Sequence, residues 1–168
     1  MANRNIRTIV KLSFIAIIIS ALFISCSSTK PAVKLNAGDI KDMVNNKNFV
    51  FIANRVNPLR GRSRQLTTQY DVRVKNDSLQ SFLPYFGRAY QAPMDPSEGG
   101  IQFTSTNFSY EVTENKGWDV IIKPHDYNEV QQFLFKIFEN GNATLNVTST
   151  NRDPITFNGY VEKLNNEE

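Results

Sequence analysis

From Asn48 onward, hydrophobic and polar residues alternate with the two-residue period of half-buried β-strands. Val72 and Val74, for example, alternate with Arg73 and Lys75. Short runs of this kind, or of dense β-forming residues, recur between turn residues at Phe49–Ala53, Tyr70–Lys75, Leu79–Phe86, Ile101–Phe103, Phe108–Thr113, Trp118–Ile122, Val130–Phe138, Ala143–Thr148 and Ile155–Tyr160. The pattern predicts eight or nine strands.

Most of these runs are joined by segments of hairpin length. Asn115–Gly117 and Glu139–Asn142 carry hairpin sequences, and Asn76–Asp77 and Asn151–Pro154 carry turn residues. Such connections are typical of an antiparallel sandwich or an up-and-down barrel. Because the strands from Phe108 to Val161 form a continuous meander, we expect a mainly β fold that closes into a barrel.

One helix is predicted before the first strand. Within 37–47, Ile40, Met43 and Val44 follow the i, i+3, i+4 spacing of an amphipathic helix. Two turns without a strong cap are not stable in isolation. The helix therefore needs a surface on which to pack.

The first 26 residues have the order of a bacterial lipoprotein signal. A basic start leads into the short apolar run Leu12–Ile24, and the chain's one cysteine, Cys26, follows. The apolar run is shorter than the roughly 20 residues that span a bilayer, although an uncleaved anchor and secretion after ordinary cleavage are alternatives. We expect a signal peptide over 1–25, lipidation of Cys26, a flexible tether over 26–36 and one barrel domain over 37–168.

Removal of the signal changes the charge of the protein. The full chain has 19 basic and 16 acidic residues, and the signal contains three of the basic ones, so the mature chain is formally neutral. This balance disfavours nucleic-acid binding. Ser27, with no acidic residue just after it, favours an outer-membrane lipoprotein that faces the periplasm and contacts the membrane through the lipid on Cys26.

Catalytic and metal-binding signals are weak. His125 is the one histidine, and without other thiols or histidines the commoner zinc sites cannot form. His125 follows Pro124 in a predicted turn, which favours a solvated position. A pair of carboxylates such as Glu111 and Asp119 could in principle serve a hydrolase, but no motif supports one. We therefore expect no enzyme activity, no metal and no cofactor.

Two segments could bind a ligand or partner. The first carries Arg55, Arg60, Arg62 and Arg64, whose guanidinium groups suit phosphate or carboxylate, unless they pair with nearby acids such as Asp71. The second holds aromatic residues that could line a barrel mouth or simply close the barrel. The candidate binding residues are Arg55, Arg62, Arg64, Tyr85, Phe86, Arg88 and Tyr90.

The phenylalanine content leaves two functions open. A small barrel has an interior just wide enough for side chains or for one small ligand. If Phe133, Phe135, Leu145 and Val147 leave a cavity, a small apolar or amphipathic ligand would bind there. If they fill the barrel, an envelope protein that docks on the outside is the better hypothesis.

The chain also resembles an uncharacterised family of envelope lipoproteins common in Bacteroidetes, classed only as a domain of unknown function. The segment Leu83–Tyr90, with a Tyr-Phe-Gly centre, carries most of the resemblance. The other matching segments are Asn48–Arg55, Gly61–Ser63, Gly99–Phe103 and Asn140–Val147. The resemblance implies a lipocalin-like β-barrel over most of the mature chain, and it implies no activity.

The lipid anchor can be tested by the substitution Cys26→Ala. Several acyl chains bury many methylene groups at about 0.8 kcal/mol each, so the native protein should stay in the membrane fraction. The variant should appear in the soluble fraction or accumulate as an unprocessed precursor. Unchanged membrane association and unchanged gel mobility would contradict the lipoprotein assignment.

Overall fold

One short helix precedes nine strands in the computed structural model, which describes residues 35–90 and 99–164. The helix α1 spans Ala37–Asn45. The strands are β1 (Asn48–Pro58), β2 (Arg64–Lys75), β3 (Ser78–Leu83), β4 (Ile101–Ser105), β5 (Phe108–Glu114), β6 (Trp118–Pro124), β7 (Val130–Ile137), β8 (Asn142–Ser149) and β9 (Ile155–Lys163). The predicted signal peptide, Cys26 and most of the predicted tether lie outside the described residues. Among the described residues, no helix is long and apolar enough to cross a membrane.

The strands form one antiparallel sheet in the order β4-β3-β2-β1-β9-β8-β7-β6-β5, curled into a nearly closed barrel. The predicted antiparallel barrel is confirmed. The first and last strands pair with each other, from Phe49 opposite Lys163 to Pro58 opposite Ile155. Consequently β4 and β5, although consecutive in the chain, are the two edges of the sheet.

The β1–β9 pair requires a glycine at its centre. Gly159 lies opposite Ala53, and a Cβ atom at Gly159 would collide with the carbonyl oxygen of Ile52. The absence of a side chain therefore lets the first and last strands of the chain approach closely enough to pair in the middle of the sheet.

The turn residues behave as their sequences predict. Asn76, Lys116, Gly117 and Gly141 have positive φ angles of 49°, 45°, 125° and 83°. These values fall at the β2–β3, β5–β6 and β7–β8 connections. The predicted hairpins are confirmed. Glycine and asparagine are common in such turns because they tolerate positive φ angles.

Alternation along the strands separates a buried inner face from an outer face. On β7, Phe133, Phe135 and Ile137 are buried, whereas Phe138 beyond its end is 48% exposed. On β5 the alternation is weaker, and Val112 is 37% exposed. An edge strand has a neighbour on one side only, so its inward residues are less completely covered.

Phenylalanine side chains fill the barrel interior. Phe135 makes edge-to-face contacts with Phe49 and with Phe51, each with a centroid distance of 5.8 Å. Its ring also lies 6.2 Å from that of Phe133. All four side chains have no solvent exposure. In the sheet, β1 and β7 are separated by β9 and β8. Their rings therefore meet across the interior of the barrel.

The helix α1 packs on the barrel through the predicted apolar residues. Ile40, Met43 and Val44 are buried, and the Tyr110 hydroxyl of β5 donates to the Val44 carbonyl at 2.7 Å. The expectation that the helix lacks a strong cap was wrong. The Asn36 side chain accepts from the Asp39 N–H at 2.9 Å and the Asp39 carboxylate accepts from the Asn36 N–H at 3.2 Å, a reciprocal capping box.

Phe135→Ala should destabilise the protein strongly. Removing a ring that touches three others leaves a cavity, and such substitutions cost about 3–5 kcal/mol of unfolding free energy. Urea unfolding followed by circular dichroism measures the loss. The matched control Phe138→Ala removes an exposed ring and should change stability by less than about 0.5 kcal/mol. Equal effects of the two substitutions would contradict the packed interior.

Candidate functional site: the arginine–aromatic end of the barrel

The two predicted binding segments lie at the same end of the barrel. Residues 59–64 comprise the β1–β2 connection and the first residue of β2, and residues 84–90 follow β3. We call these two segments the arginine–aromatic end. A cation–π contact joins them, because the Arg64 guanidinium lies 5.0 Å from the centre of the Phe86 ring. The barrel topology thus brings together residues that are more than 20 positions apart.

Backbone pairing holds residues 84–90 against the β8–β9 connection. Ala89 and Arg152 form an isolated antiparallel bridge. The Tyr90 N–H donates to the Asn151 carbonyl at 2.8 Å, and the Asp153 N–H donates to the Arg88 carbonyl at 3.0 Å. The segment was predicted as a strand as far as Phe86, but β3 ends at Leu83 because Pro84 cannot donate to a ladder.

Tyr85 folds back over Gly87. Its hydroxyl lies 2.9 Å from the Arg88 carbonyl and 3.0 Å from the Asp153 carbonyl, and one O–H can donate to either. A Cβ atom at position 87 would collide with the Tyr85 phenol. This close approach, rather than a positive φ angle, explains the glycine of the Tyr-Phe-Gly sequence.

Asp153 is a buried carboxylate beneath this segment. It is 2% exposed, its Oδ1 accepts a short hydrogen bond from the Tyr90 hydroxyl, and its Oδ2 lies 3.7 Å from Arg60 Nε. The hydrogen bond to this carboxylate is the main cause that raises the pKa of Tyr90, and desolvation adds to it. The charge of Arg60 offsets part of the cost of burying the carboxylate.

Arg152 binds the backbone just before β4, at Gly99 and Gly100. Its Nη1 donates to the carbonyls of Gly99 at 3.2 Å and Gly100 at 2.9 Å, and its Nη2 lies 3.3 Å from Glu129 Oε2. Its guanidinium also lies 5.2 Å from the centre of the Tyr85 ring. Sequence reasoning treated Arg152 and Asp153 as turn residues, because charged residues in a turn give no signal that they will be buried.

The remaining predicted arginines face solvent. Arg55, Arg62 and Arg88 are exposed. Within the two described ranges, the side chains of Arg55 and Arg62 have no hydrogen bond or ion pair. The expected alternative, that the loop arginines pair with nearby acids, holds for Arg60 with Asp153, but Asp71 is not such a partner. Asp71 pairs instead with Arg73 of its own strand, at 3.1 Å.

The other groups considered for chemistry have structural or solvent-facing positions. His125 is exposed in the β6–β7 connection. Asp126 accepts hydrogen bonds from Ser105 and from the Thr106 N–H, which lower its pKa and cap the β4–β5 turn. In the described part of the chain, no three His, Cys, Asp or Glu side chains cluster as metal ligands.

Two depressions of the described surface lie on the outside of the barrel. One, of about 530 Å³, lies over β2, β3 and β4, and the other, of about 460 Å³, lies over β9, β1 and β2. Neither is lined by Phe133, Phe135, Leu145 or Val147, the residues expected around a ligand cavity. All four of those side chains are buried in the filled interior.

Comparison with known proteins places the chain among proteins of unknown function. The family model for the domain of unknown function DUF4251 matches residues 34–161. The crystal structure of a DUF4251 family protein from Bacteroides eggerthii is similar, with a TM-score of 0.52 and 16% sequence identity over 76% of this chain and 87% of that one. At this identity the similarity concerns the fold. No curated protein matches the chain.

Tyr85→Phe should lower the unfolding free energy by about 1 kcal/mol at neutral pH, because it removes one partly buried hydrogen bond. Burial, followed by the charge of Asp153, raises the pKa of Tyr85 above its ordinary value of 10.0. A raised pKa in the folded state means that the contribution is present below pH 10 and is lost as the pH rises further. The difference between wild type and variant should therefore shrink in alkaline solution.

Urea unfolding at neutral pH and above pH 10 tests this prediction. Tyr70→Phe is the matched control, since the Tyr70 hydroxyl has no hydrogen bond among the described residues, and it should change stability by less than about 0.5 kcal/mol. A difference for Tyr85→Phe that grows with pH would show that the sign is wrong.

Proposed function

Because the chain belongs to the DUF4251 family, a domain of unknown function, we propose a role from its surface: a non-catalytic envelope lipoprotein that docks an acidic partner protein through the arginine–aromatic end. The observation that carries this proposal is the filled interior, together with the exposed aromatic and arginine side chains at one end. The lipid on Cys26 would hold the barrel at the periplasmic face of the outer membrane.

The filled interior argues against a carrier of small apolar ligands. The rings of Phe49, Phe51, Phe133 and Phe135 occupy the space that such a ligand would need. Opening a cavity among close-packed side chains carries a large free-energy cost. A carrier would therefore need a rearranged core, whereas a docking protein functions with this one.

The arginine–aromatic end has the composition of a protein-binding surface. Leu59 is 63% exposed, Phe86 is 38% exposed and Tyr90 is 62% exposed. Arginine and tyrosine are the residues that, with tryptophan, contribute most often to binding energy at protein interfaces. Three apolar side chains among arginines thus provide anchors with a charged rim.

The charge of this surface indicates the kind of partner. Arg62 and Arg88 are exposed, while Asp153 is buried and lies beside Arg60. An acidic surface on the partner would therefore meet an excess of positive charge. Complementary charges of this kind speed association and select among partners.

The surface is also well ordered before any partner arrives. The Ala89–Arg152 bridge and the Tyr85 and Tyr90 hydrogen bonds hold residues 84–90 to the β8–β9 connection. A preorganised surface loses less conformational entropy on binding. This is the arrangement expected of a docking site on a rigid barrel.

Site-specific photocrosslinking in the native envelope tests the proposal. The full lipidated protein carries a benzophenone amino acid at position 86 and, as the matched control, at position 138, an exposed phenylalanine at the opposite end of the barrel. We expect one discrete protein adduct from position 86 and none from position 138. Arg62→Glu should weaken that adduct, whereas Lys136→Glu, also exposed, should leave it unchanged.

Two results would contradict docking at this end. Adducts of equal yield from positions 86 and 138 would indicate non-specific contact. The absence of an adduct from position 86, with a co-purifying mass of a few hundred daltons in native mass spectrometry, would favour the small-ligand carrier instead.

A further inference from the structure

A shallow groove runs across the outer face of the sheet, and its lining residues are distinct from those of the arginine–aromatic end. The two depressions described above both have Gln69 in their lining, so they adjoin, and together they make up this groove over β9, β1, β2, β3 and β4. We call it the furrow. Its exposed side chains are mostly amides and hydroxyls: Asn54, Thr67, Thr68, Gln69, Gln80 and Thr104.

Two aromatic rings lie along the floor of the furrow. The register places Tyr160 of β9 opposite Ile52, Ile52 opposite Asp71, and Asp71 opposite Phe82 of β3. Tyr160 and Phe82 therefore stand in one transverse row, separated by three strand spacings, or about 14 Å. Their side chains are 36% and 45% exposed, and Tyr70 stacks on the Phe82 ring at 5.6 Å.

A wide irregularity in β2 forms one wall. Ala53 pairs with Tyr70 and Arg55 pairs with Gln65, so four residues of β2, Leu66–Gln69, lie opposite the single residue Asn54 of β1. Bulges redirect side chains and are common next to binding sites. Three of these four residues carry a hydroxyl or an amide, and all four line the furrow.

The floor of the furrow carries little net charge. Asp71 Oδ2 accepts from Arg73 Nε at 3.3 Å and Nη2 at 3.1 Å, so the acid and the base in the middle of the furrow neutralise each other. Glu162, at the β9 end, is the remaining acid among the lining residues. A neutral ligand fits this surface better than a phosphate or a polyanion.

The chemistry points to a neutral oligosaccharide, and we propose that the furrow binds one. The apolar face of a sugar ring can stack on Phe82 and on Tyr160, while amides and hydroxyls both donate to and accept from sugar hydroxyls. The 14 Å between the rings calls for a chain of sugars rather than one. An extended peptide is disfavoured over most of the furrow, because it would pair with a free strand edge, and β9, β1, β2 and β3 are already paired on both sides.

Isothermal titration calorimetry on the full lipidated protein in detergent tests this site. The probes are cellotetraose, maltotetraose and tetra-N-acetylchitotetraose, with glucose and N-acetylglucosamine as monomers and tetragalacturonate as the anionic comparison. We expect at least one neutral tetrasaccharide to bind with a Kd below about 1 mM, and its monomer to bind at least about tenfold more weakly.

Variants locate the binding on the protein. Phe82→Ala should weaken tetrasaccharide binding about tenfold, through loss of one stacked ring. Gln69→Ala, at the junction of the two depressions, provides a second variant. The control Phe138→Ala removes an equally exposed phenylalanine outside the furrow and should leave the affinity unchanged. Thermal melts check that each variant is folded.

Three results would overturn the inference: no binding by any neutral tetrasaccharide, tighter binding of tetragalacturonate, or equal weakening by Phe138→Ala and Phe82→Ala. The furrow and the arginine–aromatic end are separate surfaces. In Phe82→Ala the crosslink from position 86 should persist, so failure of this inference is distinguishable from failure of the docking proposal.

Discussion

Filling the narrow barrel interior with side chains is the constraint on which the rest of the structure depends. Phe49 and Phe51 of β1 meet Phe133 and Phe135 of β7. The rings therefore connect two strands that β9 and β8 separate in the sheet. Each buried ring contributes a large apolar area, and close packing makes the interior intolerant of a void. The wall of the barrel therefore closes around a filled core.

The two ends of the barrel are covered by different segments, which are held by different interactions. At one end the helix α1 lays three apolar residues on the barrel and is linked to β5 by the Tyr110 hydroxyl. At the other end, residues 84–90 cross the β8–β9 connection and are held by hydrogen bonds to Asp153. The first segment relies on apolar burial. The second relies on buried charge, which holds its partners in a defined geometry because unpaired charge is costly away from water.

The outer face differs from an ordinary solvated sheet surface in one respect. The register between β1 and β2 breaks at Asn54, and four residues of β2 are displaced as a wall beside a row of exposed rings. A regular ladder would leave this face flat. The irregularity lies beside the depression over β9, β1 and β2, outside the filled core.

Local patterns determined much of this fold. The alternation in β7 and β8 predicted which side chains face inward, and the asparagine and glycine residues at 139–142 predicted their hairpin, because both signals act between near neighbours. The three apolar residues of α1 predicted the buried face of the helix. Its cap was missed, although Asn36 and Asp39 stand at the spacing of a capping box.

The sequence by itself determined the number of strands, their inward faces, the turns, the helix and the membership suggested by the Tyr-Phe-Gly segment, but it missed that β1 continues to Pro58 and that β2 begins at Arg64. The tertiary structure alone decided that β1 pairs with β9, that Arg152 and Asp153 are buried beneath residues 84–90, and that the barrel is filled. These features depend on which distant strands meet and on how many rings share one interior volume. Such choices are made by the packing of the whole domain, and no local window of residues contains them.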